Sequence, residues 1–172
     1  DSVYFESPSN VPGGNNYPNA FLAVEQFGGW GFAESNNNEV EIVGFSGNFG
    51  GFGLEVNVAF QNPQTIFIFP ATYQDSYTDT AIINAKFAAP PGLSPFPGVT
   101  VDSIRFARFS DISSEIDGYG TVITPLQSYS ALRQKNIEHS IDSIWIKASF
   151  LGWILAPGGS IGFDNPSNTI TH

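Results

Sequence analysis

Polar and apolar residues alternate one for one in several short stretches of the chain. Glu39-Val40-Glu41-Ile42 and Glu55-Val56-Asn57-Val58 are the clearest. A period of two is that of a half-buried strand, whose successive side chains point to opposite faces. On this pattern, strands are expected at 21–27, 40–45, 54–60 and 65–69. In the second half they are expected at 77–87, 99–109, 112–124, 128–137 and 141–154, and 160–163 and 169–171 close the chain. Ile144, Ile146, Ala148 and Phe150 share one face of their strand, which puts Trp145 on the other. Segments 99–109 and 112–124 are read as one hairpin, and 128–137 with 141–154 as another. Asp117-Gly118 and Pro125 are read as turns or kinks, and Glu138-His139-Ser140 as a turn. Only 128–135 also suits a helix. Roughly ten short strands separated by turn residues predict an all-β chain, a β-sandwich or jelly roll.

The first 19 residues break this rhythm. A short β-prone run, Val3, Tyr4 and Phe5, leads into a loop rich in Pro, Gly and Asn from Pro8 to Pro18. It reads as an extended arm or linker, whose strand either donates itself to a neighbouring sheet or docks on its own. Residues 20–60 hold strands rich in Gly and aromatics, such as Phe27-Gly-Gly-Trp30, and residues 61–172 are more regular. The chain is treated as a single β-domain made of these three parts.

Composition supports the strands. Gly (18) and Pro (12) are abundant and charged residues make up 13% of the chain, about half the usual share. Gly and Pro are the two poorest residues for a helix interior. Cysteine is absent, which excludes disulfides, thiol nucleophiles and thiolate metal sites. His139 and His172 are the two histidines, too few for a histidine metal centre. Net charge is −10, and it is lopsided: residues 1–85 hold nine acidic groups and no Lys or Arg, while 86–172 hold seven acidic and six basic groups. Phosphate recognition needs basic tracks, so nucleic acid is not an expected partner. No apolar run has the length a membrane-spanning helix needs, and no membrane insertion is expected. The chain begins at Asp1 with no signal-like segment, as a secreted product does once its signal peptide is removed.

Between about residues 60 and 150 a series of motifs runs in order: Asn62-Pro63, Ile68-Phe-Pro-Ala-Thr-Tyr73, Ser76-Tyr-Thr-Asp79, Val101-Asp-Ser-Ile104, Asp117-Gly-Tyr-Gly-Thr-Val-Ile-Thr-Pro125, Tyr129-Ser-Ala-Leu-Arg-Gln-Lys135 and Asp142-Ser-Ile144. The series resembles a β-rich module of secreted and surface proteins of Bacteroidota, associated with type IX secretion. The resemblance implies secretion and a β fold. It implies no activity and transfers no site residues.

Catalytic chemistry finds little foothold. His139 sits in a predicted turn, where a solvated loop histidine is expected rather than a catalytic base, and no catalytic residue is assigned. Glu25, Glu39, Glu41 and Glu55 alternate with apolar residues, so they face solvent and are not set up as a paired acid and base. Arg133 is a candidate partner for Asp117 or Asp79 in a structural ion pair. No cofactor is expected. Calcium is the one metal considered, with Asp111, Glu115 and Asp117 as weak ligand candidates. Trp30, Tyr119, Trp145 and Trp153 are the candidate aromatic platform for a sugar. The expected role is a secreted, non-catalytic structural or adhesive subunit. It associates with copies of itself into a filament or surface layer, by strand edge or by the arm of Val3, Tyr4 and Phe5. The alternative is a carbohydrate-binding accessory module that takes an extracellular glycan.

Overall fold

A computed structural model describes residues 3–26, 28–49, 54–94, 98–148, 151–156 and 167–171. Ten strands follow one another: β1 (Phe5–Glu6), β2 (Leu22–Gln26), β3 (Gly29–Ser35), β4 (Glu39–Phe49), β5 (Leu54–Ile68), β6 (Ser76–Ala88), β7 (Val101–Ile123), β8 (Ser128–Ala148), β9 (Gly152–Leu155) and β10 (Ser167–Thr171). All pairings are antiparallel, and β1 to β8 lie side by side in chain order. β9 and β10 share the outer edge of β8. The all-β class is thus observed, but its connectivity is a meander without the crossovers of a jelly roll.

The strands are also longer than alternation alone suggested. The segments read as hairpins are single strands, β7 of 23 residues and β8 of 21. Asp117-Gly118, read as a turn or kink, is a bulge between two registers of the β7–β8 ladder, a local bend within one strand. Glu138-His139-Ser140, also read as a turn, lies in mid-strand, and 128–135 is strand and not helix. Pro63 is tolerated in β5 because the β4–β5 ladder skips from Ala59 to Gln64 there, so no ladder bond needs its missing N–H. Segments 149–150 and 160–163, also expected in strands, lie outside the described residues.

The loop from Pro8 to Pro18 is not an extended arm. It makes two 3₁₀ turns, at Pro8–Asn10 and Gly14–Asn16, and lays Tyr17 on the sheet. The Tyr17 ring stacks on Phe32, 4.2 Å between centroids, and forms a buried cluster with Ala23. Gly44 of β4 lies directly under the ring, where a Cβ would collide with it. Further along, Ala33, Val40 and Ile42 form a second cluster, and Val56, Val58 and Ala85 a third.

The join between β5 and β6 is narrow, with Asn62 opposite Ile82 as its one registered pair. Side chains replace the missing ladder. Asn62 donates to the Thr80 carbonyl, Asp79 accepts from the Thr65 amide at 2.8 Å, and Gln134 donates to the Ile66 carbonyl at 2.7 Å. These bonds hold the end of β5 against the inward face of β6–β8.

Candidate functional site

The outward face of β6–β9 brings two of the candidate aromatic side chains together with three cations. In the β6–β7–β8–β9 register Lys86 lies opposite Arg105, Arg105 opposite Trp145, and Trp145 opposite Leu155. One step on, Lys147 lies opposite Trp153. Residues i and i+2 share a face, so all six side chains belong to one surface. The Lys86 ammonium stands 5.6 Å from the centroid of the Trp153 ring, a cation–π distance. Arg105 donates to the Asn84 side chain at 3.0 Å. Lys86, Arg105, Lys147, Trp153 and Leu155 are exposed, and Trp145 is half-buried.

Among the described residues, no carboxylate forms an ion pair with this plate. Among the described residues there are two ion pairs, Arg108 with Asp142 at 2.6 Å and Arg133 with Asp117 at 2.8 Å. Neither involves the plate. Arg108–Asp142 is a two-pronged contact on the inward face, and the Asp142 side chain holds the Arg108 pKa above its ordinary value. The Arg133–Asp117 pair is the structural pair expected from sequence. Asp79, the other candidate, instead accepts from the Thr65 amide.

Two of the four aromatic candidates therefore come together. Trp145 and Trp153 are diagonal neighbours on the plate, while Trp30 packs beside the Tyr17–Phe32 cluster. Tyr119 is far out on β7, 76% exposed, with the Tyr73 ring edge-on to it at 5.2 Å. Lys86, Arg105 and Lys147 were not anticipated. The pairing register assembles them from three strands, and a single strand's sequence does not carry that information.

A second surface is the far end of the β7–β8 hairpin. β6 runs beside β7 as far as Glu115, and β10 beside β8 from Ser140 to Asn136. Beyond them the two strands continue as a ribbon to a turn in which the Thr124 amide and hydroxyl both donate to the Gln127 carbonyl. Val122, Ile123, Leu126, Tyr129 and Leu132 are all exposed there, Ile123 at 81% and Leu126 at 92%. No charged residue occurs from Gly118 to Leu132. Gly118 and Gly120 need no left-handed backbone.

The remaining candidates are dispersed. Asp111 lies opposite His139 and Glu115 opposite Lys135, and Asp117 is held by Arg133. No group of three or more metal-ligating side chains occurs among the described residues. An open hollow of about 400 Å³ passes Thr78, Asp111, Ser113 and His139. In the acidic half, Glu34 and Glu41 face each other across β3 and β4. Burial, then Glu39, Asp79 and Glu34, raise the Glu41 pKa above its ordinary 4.5. β1 pairs with β2 of its own chain, Phe5 opposite Val24, and Val3, Tyr4 and Phe5 are each 60% exposed. No protein family, curated protein or solved structure matches the chain.

Proposed function

We propose that the chain is a non-catalytic extracellular subunit that associates with copies of itself through the projecting end of the β7–β8 hairpin. The observation that carries this reading is the uncharged, apolar ribbon from Gly118 to Leu132 in a chain of net charge −10. A two-stranded ribbon is marginally stable in water by itself, and contiguous exposed apolar surface marks an interaction site. On the outer edge of β8, residues 128–135 have no strand beside them among the described residues, so their backbone groups call for another strand. A lipid bilayer cannot supply those hydrogen bonds. The same edge of a second copy can, and without charge repulsion, because neither copy carries charge over most of it. Pairing of identical edges about a two-fold axis closes as a dimer. Growth into a filament or layer then draws on a head-to-tail contact between the acidic first half and the near-neutral second half. The extracellular setting rests on the motif resemblance between residues 60 and 150.

Light scattering of the purified chain tests the proposal. Species above the 18.5 kDa monomer are expected, growing with concentration and visible by negative-stain microscopy. The double variant Ile123→Asp/Leu126→Asp should remain folded by circular dichroism and dissociate. Two exposed apolar side chains brought out of water contribute about 3 kcal/mol, so the dissociation constant should rise about a hundredfold. A parent chain that stays monomeric, or a variant that associates equally well, would overturn the reading.

A further inference from the structure

We infer that the plate formed by Lys86, Arg105, Lys147, Trp145 and Trp153 binds an anionic polysaccharide, taking its carboxylates on the cations and the apolar faces of its sugars on the indoles. This site is separate from the hairpin end and does not depend on self-association.

Three observations lead to this ligand class. First, the cations are concentrated where, among the described residues, no carboxylate pairs with them. The chain has six Lys and Arg; Arg108 and Arg133 are held by their own carboxylates, and three of the other four stand together on the plate. Lys86 and Arg105 are directly opposite one another, an arrangement that costs stability in a sheet. An anion from outside relieves that cost. Second, two of the three tryptophans share this surface. Trp153 is 38% exposed and already carries Lys86 over its ring, so stacking and charge are offered at one point. Third, the plate is the outer face of a sheet, across four strands roughly 4.8 Å apart. Among the described residues it shows no ring of converging backbone amides of the kind that captures a small free anion. An extended polymer that lies across strands fits it better.

Charge density selects among polymers. A nucleic acid is charged at every nucleotide and binds through many phosphate contacts. On leaving a patch of three cations it would meet the acidic surface of the same molecule. A polysaccharide whose carboxylated sugars alternate with neutral ones places fewer charges beyond the patch and still offers C–H faces to the indoles.

The experiment follows tryptophan fluorescence of the full chain titrated with a short hyaluronate oligosaccharide, a neutral dextran oligomer, poly-glutamate and oligo-deoxythymidine. Hyaluronate should change the emission saturably, and its affinity should fall about tenfold or more as salt is raised to physiological strength. Trp153→Ala should weaken binding about tenfold, and Lys86→Gln with Lys147→Gln by at least as much, all with unchanged circular dichroism. Native electrophoresis in gels containing hyaluronate reads the same loss without relying on the deleted indole. Ile123→Asp/Leu126→Asp, which tests the hairpin contact, should bind the oligosaccharide as the parent does. Absence of binding, binding of poly-glutamate or oligo-deoxythymidine as strong as that of hyaluronate, or full affinity in the Trp153→Ala chain would each overturn the inference.

Discussion

At the scale of single residues, polar groups in the interior do much to fix the fold. Tyr17 is 6% exposed, and its hydroxyl donates to the Val58 carbonyl at 2.9 Å and the Phe45 carbonyl at 3.2 Å, so it ties the N-terminal loop to both β4 and β5. Burial raises its pKa above the ordinary 10.0. A folded-state pKa raised above the unfolded one gives stability that is complete below pH 10 and lost as pH climbs through the folded value, where the donated proton leaves. Tyr17→Phe should therefore cost about 1–2 kcal/mol at pH 7, read from urea midpoints. It should also flatten the alkaline decline, so that parent and variant converge above pH 10. Tyr17 shows the limit of legibility at this scale. Its surroundings in the sequence, Asn16, Pro18 and Asn19, are those of a loop. Nothing local reports that a glycine 27 residues on, Gly44, leaves space for its ring.

At the scale of strands, alternation identified where they lie and which face is which. Trp145 was placed opposite Ile144 and Ile146, and that is its position on the plate. Alternation failed on length for a definite reason. The inward positions of β7 are Ile104, Phe106, Arg108, Ser110, Ile112, Ser114 and Ile116, an unbroken phase. Three of them are polar, and their partners come from β8: Asp142 for Arg108, Glu138 for Ser110 and Asn136 for Ser114. The apolar signal is interrupted while the geometry is not, and one strand reads as two. The β3–β4 hairpin shows the opposite case, a legible strand pair with a hidden cost. Asn36 caps its turn by accepting from the Asn38 and Glu39 amides, but register then sets Glu34 against Glu41. With the Glu41 pKa raised, its favourable contribution is complete below pH 4.5 and is lost as pH rises and the carboxylate ionises. Glu41→Gln should raise the melting temperature at pH 7, and the gain should vanish at pH 4. An equal gain at both pH values would show that charge is not the cause.

At the scale of the whole molecule, the β7–β8 hairpin is both the spine of the second half and the source of the exposed ribbon, and the two roles separate along its length. From Ser103 to Glu115 β7 has β6 on one side and β8 on the other. Beyond the bulge, among the described residues, it pairs with β8 alone, the Tyr73 ring meets Tyr119 edge-on, and a Cβ at Gly120 would meet nothing within 4 Å. The composition of this ribbon was plain in the sequence, but its projection was not, because that depends on where β6 and β10 stop. If the inner part holds the fold and the outer part serves association, replacing residues 118–132 with Asn-Gly should leave the fold in place. The new two-residue turn suits the twist of an antiparallel pair, and the Asp117–Arg133 pair would remain at its base. Side chains as exposed as Ile123 and Leu126 contribute little to the folded monomer. The melting temperature should therefore stay within about 4 °C of the parent, the range that a change of about 1 kcal/mol produces in a chain of this size, while light scattering reports monomer at all concentrations. Collapse of the fold would assign the ribbon a structural role within the monomer. Persistent assembly would move the contact to another edge of the sheet, where the exposed Val3, Tyr4 and Phe5 beside β2 are the next surface to alter.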